Sequence, residues 1–130
     1  MSAPPALEAS FVQQLVGAAH GDLDCVKEML GAHPQLANAC WDWGGGDFET
    51  GLGAAAHMGR RDIAELLLTH GARMDIFAAA MLGNLEVVKA IIEAQPEAAT
   101  ALGPHGIPLM QHAIKGGEGS EAVVKYLSAL

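Results

Sequence analysis

At 130 residues, 51% of them hydrophobic, the chain is long enough for one domain to bury a working core without disulfide staples. Its 15 acidic and 7 basic side chains give a formal charge of −8, which disfavours phosphate backbones and anionic lipid as partners, so no nucleic-acid and no membrane role is expected. No apolar run approaches the roughly 18 residues of a bilayer span, the first lysine is Lys27, and Cys25 and Cys40 have no metal-type spacing; a reduced, cytoplasmic setting without a secretory leader is the expectation.

Residues 1–9, with Pro4-Pro5, read as a flexible tail. The first helix follows, with Phe11, Val12, Leu15 and Val16 on its apolar face. From there four segments resemble one another: 18–30, 56–68, 80–92 and 113–127. Each ends a short apolar stretch in Ala-x-x-Gly, takes a polar step, and enters a second helix rich in Val, Ile and Leu. The aligned glycines are Gly21, Gly59, Gly83 and Gly116, at intervals of 38, 24 and 33 residues. A period near this size with two helices per unit predicts a stacked-helix solenoid, in which neighbouring units bury one another's apolar faces. Asp22, Asn84 and Ser120 stand where an N-cap is needed. Cys25, Ile63, Val87 and Val123 share one aligned position, and Val26, Ala64, Val88 and Val124 the next; both read as core.

Between the first two units lies Cys-Trp-Asp-Trp-Gly-Gly-Gly-Asp-Phe-Glu-Thr, residues 40–50. In an extended strand Trp41 and Trp43 share one face, and the three glycines permit a sharp reversal. Asp42, Asp47 and Glu49 fall near the same edge. The loop reads either as a recognition element reaching over a groove or as an aromatic lid on the core.

The stretch 50–59, with Thr50, Leu52, Ala54, Ala55 and Gly59, resembles the ankyrin repeat, as does Leu67-Leu68-Thr69-His70-Gly71-Ala72 at a helix end. Ile107-Pro108-Leu109 with Ala113 and Gly116 keeps another subset. The resemblance covers about residues 10–130 and is to a divergent member: the family's histidine positions hold Leu15, Gly53, Phe77 and Met110. It implies an all-α ankyrin-repeat solenoid of about four helix-turn-helix units (about 10–38, 48–72, 73–98 and 105–130) joined by short hairpin loops. The short interval between Gly59 and Gly83 predicts a deleted hairpin, and the long one between Gly21 and Gly59 an enlarged hairpin beside it. Family geometry puts Ala19-His20, His57-Met58, Met81-Leu82 and Ile114-Lys115 along a concave groove.

Two functions follow from that resemblance. The first is a binding module that recognises a partner protein or peptide through the groove and the tryptophan loop, using Trp41, Trp43, Phe48, His20, His57, Met58, Met81, Leu82 and Ile114. The alternative is a small-molecule binder or small enzyme of hydrolase, isomerase or cyclase type, with an apolar groove pocket and cofactor-independent acid–base chemistry. Its candidate catalytic residues are Asp42, Asp47 and His57. Cys40 as a nucleophile has no motif behind it. Among His20, His33, His57, His70, His105 and His112 no pair has metal-ligand spacing, so no metal site and no cofactor are expected. His33 and His70 read as helix-end histidines and His105, in Gly-Pro-His-Gly, as a turn residue. Apolar first and last helices would also allow a homodimer through the ends.

Overall fold

The computed structural model describes residues 3–130. Residues 1 and 2 of the expected tail lie outside the described residues; residues 3–8 carry no regular element. Eight α-helices make up the described chain in four consecutive pairs. They are α1 (Ala9–Ala18) with α2 (Leu23–Ala32), α3 (Gly51–His57) with α4 (Arg61–Thr69), α5 (Ile76–Leu82) with α6 (Leu85–Ala94), and α7 (Leu109–Lys115) with α8 (Glu121–Ser128). The one sheet among the described residues is a hairpin of β1 (Cys40–Asp42) and β2 (Phe48–Thr50). The protein is thus all-α apart from that hairpin.

Local chemistry sets the helix starts. Asp22 accepts from the Cys25 N–H, Thr50 from Gly53, Asp75 from Ala78 and Asn84 from Val87, each satisfying a donor that has no intrahelical partner. Ser120 does not cap α8 as expected. Its hydroxyl turns back to the carbonyls of Ala113 and Gly117 and ties α8 to the end of α7.

The odd-numbered helices form a row, α1 against α3, α3 against α5 and α5 against α7, while α2 lies beside α4 and α6 beside α8. Helix α3 is fully buried from Gly51 to Ala56. Its glycines and alanines hold neighbours close instead of filling space themselves. The larger side chains come from α4, where Ile63 and Leu67 are fully buried, each contributing about 1.5–3 kcal/mol of transfer free energy. Val26, Ala64 and Val88 are buried as aligned, and so are Ile63 and Val123; Cys25, Val87 and Val124 are only half-buried at the edge of the stack.

The shortened third unit shows its consequence here. Only residues 70–75 connect α4 to α5, without a strand. Helix α7 then reaches past α5 to touch α3 as well. The loop before α7 folds on itself through the Leu102–Pro108 bridge and the Gly103 N–H to Ile107 O bond. A Cβ at Gly53 would stand 3.4 Å from Pro104 Cγ, so the bare backbone of α3 is what lets this loop settle against it.

His112 is fully buried on α7, with Nδ1 on the Pro108 carbonyl at 2.9 Å and its ring 4.8 Å from that of Phe77. Burial lowers its pKa, and nearby His57 adds to that while Asp75 opposes it. The unfolded chain therefore binds a proton that the folded chain refuses. This contribution to stability is complete above the ordinary histidine value near 6.5 and declines as pH falls through it. The expected result is that His112→Leu flattens the loss of stability between about pH 7 and pH 5, read from urea unfolding of both proteins across that range. Parallel pH profiles would show that His112 does not carry the effect.

Candidate metal centre

The hairpin builds the site by its period of two. Trp41 pairs with Glu49 and Asp42 with Phe48, and the Trp43 N–H continues the ladder to Asp47 O at 3.0 Å. Trp41, Trp43, Asp47 and Glu49 therefore share one face, and Cys40, Asp42, Phe48 and Thr50 the other. Three residues in the left-handed region, Gly44, Gly45 and Gly46, make the reversal. Asp42 locks it by accepting from the N–H groups of Gly44 and Gly46. Asp42 thus holds the turn, on the hairpin face opposite Glu49.

Trp41 packs on the core of the first two units, as the lid reading expected. Trp43 does otherwise. It is 38% exposed, and its indole N–H donates to Glu49 Oε1 at 2.8 Å. Phe48 points away and is 62% exposed.

Glu49 is the centre of the site. Its side chain is wholly buried, and three imidazoles converge on it. His20 Nε2, just beyond α1, lies 3.2 Å from Oε1. His57 Nε2, at the end of α3, lies 3.0 Å from Oε2, and His105 Nε2, on the loop before α7, 3.2 Å from the same oxygen. One donor atom from each of these four residues falls within 4.8 Å of all the others. The spacing of the histidines predicted no metal set; the fold nevertheless brings together possible donors from four separate segments. The expected pairing of His57 with Asp42 or Asp47 is corrected as well, because the carboxylate at His57 belongs to Glu49.

The outer contacts orient His20 and His105 and, for His20, fix which ring nitrogen carries the proton. His20 Nδ1 faces the carbonyls of Val16 and Gly17 at 3.0 and 3.1 Å. A carbonyl only accepts, so Nδ1 donates. His105 Nδ1 faces Asp47 Oδ2 at 2.7 Å, and Asp47 also accepts from the His105 backbone N–H at 2.7 Å. These two contacts join hairpin and loop across 58 residues and hold His105 in its left-handed conformation, φ 61°. In neutral His20 the bare lone pair of Nε2 therefore points at Glu49 Oε1, and in neutral His105, with a carboxylate at each ring nitrogen, one lone pair faces a carboxylate whichever nitrogen holds the proton. Glu49 Oε2 and His57 Nε2 are both buried and stand 3.0 Å apart, with His105 Nε2 3.2 Å from the same oxygen.

Electrostatics agree with an ionised centre. Burial pushes the Glu49 carboxyl up, but His20, His57 and the Trp43 N–H outweigh it and hold the group well below the usual carboxylate range. Contact with Glu49 raises His20, more than burial lowers it. The His105 backbone N–H holds Asp47 below its ordinary value, against a smaller push from burial. Burial, then Asp42 and Glu49, push the Cys40 thiol up, the opposite of what activates a nucleophile.

The expected groove is only partly formed. Met58 and Ile114 are exposed and Leu82 half-buried, but Met81 is fully buried in the core. No ligand-sized cavity lies among the described residues, and beneath the tryptophan loop stand the imidazoles and Glu49. No helix among them is long and apolar enough to cross a membrane. Comparison of the chain with protein-family models, with curated proteins and with solved structures found no match. The functional reading therefore rests on the geometry of the site.

Proposed function

We propose that this protein binds one divalent transition-metal ion through His20, Glu49, His57 and His105, on the scaffold of a divergent ankyrin solenoid. The observation that carries the reading is the convergence of three imidazole nitrogens from separate segments on one wholly buried carboxylate. Without a cation, the lone pairs would repel the carboxylate unless the histidines were protonated. Three imidazolium rings with centroids 5.0–6.1 Å apart would then repel one another. A single divalent ion satisfies all four donors. Imidazole with carboxylate and no thiolate suits zinc, iron, nickel or copper better than calcium or magnesium. Asp47 on His105, the Val16 and Gly17 carbonyls on His20 and the Trp43 N–H on Glu49 are the outer shell that such a site requires.

The solenoid reading is supported by the repeated Ala-x-x-Gly units on consecutive helix pairs, and the missing third-unit hairpin gives it a purpose. Its absence lets the first hairpin and the last loop meet over α3.

The test is titration of the chelator-treated, untagged chain with zinc or cobalt. One ion per chain is expected, with binding lost in His57→Ala. Weak uptake of no fixed stoichiometry, insensitive to that substitution, would sink the proposal. Asp47→Asn keeps the shape of the outer contact but removes its charge. It is expected to weaken ion affinity about 10–100-fold, measured by competition with a chromophoric chelator.

A second reading, docking of a partner protein or peptide along the groove, is favoured by the exposure of Met58 and Ile114. It predicts that Met58→Ser with Ile114→Ser abolishes partner capture while one ion per chain still binds. Loss of the ion in that variant would instead tie both residues to the metal centre.

A further inference from the structure

We infer that the ion at this centre keeps an exchangeable coordination position, on the side of His20 and His105, that takes a small anionic oxygen or nitrogen donor. The inference rests on the metal reading above and deepens it: four protein donors could equally close a site into a purely structural tetrahedron.

Two independent features argue against closure. The first is spacing. With bonds of about 2.1 Å, donors at right angles stand about 3.0 Å apart and donors at the tetrahedral angle about 3.4 Å. His20 stands 3.2 Å from Oε1, whereas His57 and His105 stand 3.0 and 3.2 Å from Oε2, so no single carboxylate oxygen is matched to all three imidazoles. Imidazoles divided between two oxygens do not present the four evenly spaced donors of a closed tetrahedron.

The second feature is exposure. Glu49 is 0% and His57 10% exposed in their side chains, whereas His20 is 27% and His105 33% exposed. The centre is sealed below and open on one flank. Trp43 borders that flank, with its ring 6.2 Å from His20 and 6.3 Å from His105. A ligand entering there meets an aromatic edge and the ion together.

Charge sets the class of ligand. A divalent ion with one carboxylate and three neutral imidazoles retains a net charge of about +1 on the ion and its four donors, with the Asp47 carboxylate one ring further out. An anion neutralises that charge and a second cation does not.

The experiment uses the cobalt-loaded full chain and its visible absorption, with azide and acetate as probes. The expected result is the weak absorption of a five- or six-coordinate ion and a saturable spectral change with either anion. An intense four-coordinate spectrum that neither anion moves would overturn this inference and leave the metal reading standing. Failure to take up cobalt at all would overturn both.

Discussion

Glu49→Gln is expected to cost the protein its ion, lowering affinity by more than the roughly 10–100-fold typical of outer-shell changes. Glutamine has nearly the same volume, so packing against Trp43 and the three histidines survives. What it loses is the only negative charge among the four donors and an acceptor that can face three imidazoles at once. The readout is thermal. An ion held at 100 times its dissociation constant stabilises the folded chain by about 2.7 kcal/mol, a rise of several degrees in Tm for a domain of this size. That rise should be present in the wild type and absent in Glu49→Gln. The substitution also separates a metal centre from a plain network of charged histidines. If ions leave the wild-type Tm unchanged, and Glu49→Gln alters only its response to acid, Glu49 serves as counter-ion to protonated histidines and the metal proposal fails.

Helix pairs were legible in the sequence because their signals are local. Asp22 and Asn84 cap the helices they precede, and Gly21, Gly59, Gly83 and Gly116 mark the turns within the four pairs. The shared face of Trp41 and Trp43 was legible too, since a strand alternates whatever its surroundings. The cluster proposed to hold an ion was not, because its donors lie at positions 20, 49, 57 and 105 and no short window of sequence contains them. His105 reads as a turn residue and is one; the contact that gives it a second role comes from Asp47, 58 residues away. Two signals pointed toward the site. Period-two alternation places Glu49 on the tryptophan face of the hairpin, which marks it over Asp42 as the inward carboxylate. The short third unit predicted a deleted hairpin beside the enlarged one, and in the structure the enlarged hairpin meets the loop before α7 through Asp47 and His105. Ser120 shows the opposite failure: a good cap by its position in sequence, it spends its hydroxyl on carbonyls of the preceding turn.

The largest loss of stability is expected from Gly83→Ala, far from the metal donors in sequence. Gly83 ends α5 in the left-handed region, φ 79°, where a side chain costs about 1–2 kcal/mol. A Cβ there would also overlap the carbonyl oxygen of Gly119 and stand 2.9 Å from its carbonyl carbon. Both belong to backbone, which cannot swing aside as a side chain would. Together these effects should cost at least about 3 kcal/mol, a large share of the roughly 5–15 kcal/mol that holds a domain folded. Gly31→Ala supplies the contrast. Gly31 is exposed within α2 and a Cβ there meets nothing within 4 Å, so alanine should stabilise by about 0.5–1 kcal/mol. Equal effects of the two substitutions in urea unfolding would mean that α5 does not approach the α7–α8 turn as closely as described. The Gly83 variant also bears on the metal centre. His105 precedes α7, and α7 is held in the stack mainly by α5. If the Asp47 contacts and the packing of Pro104 on α3 suffice to place His105, folded Gly83→Ala binds its ion with wild-type affinity while unfolding many degrees lower. A matching fall in ion affinity would show instead that the α5–α7 contact carries the placement of the last donor.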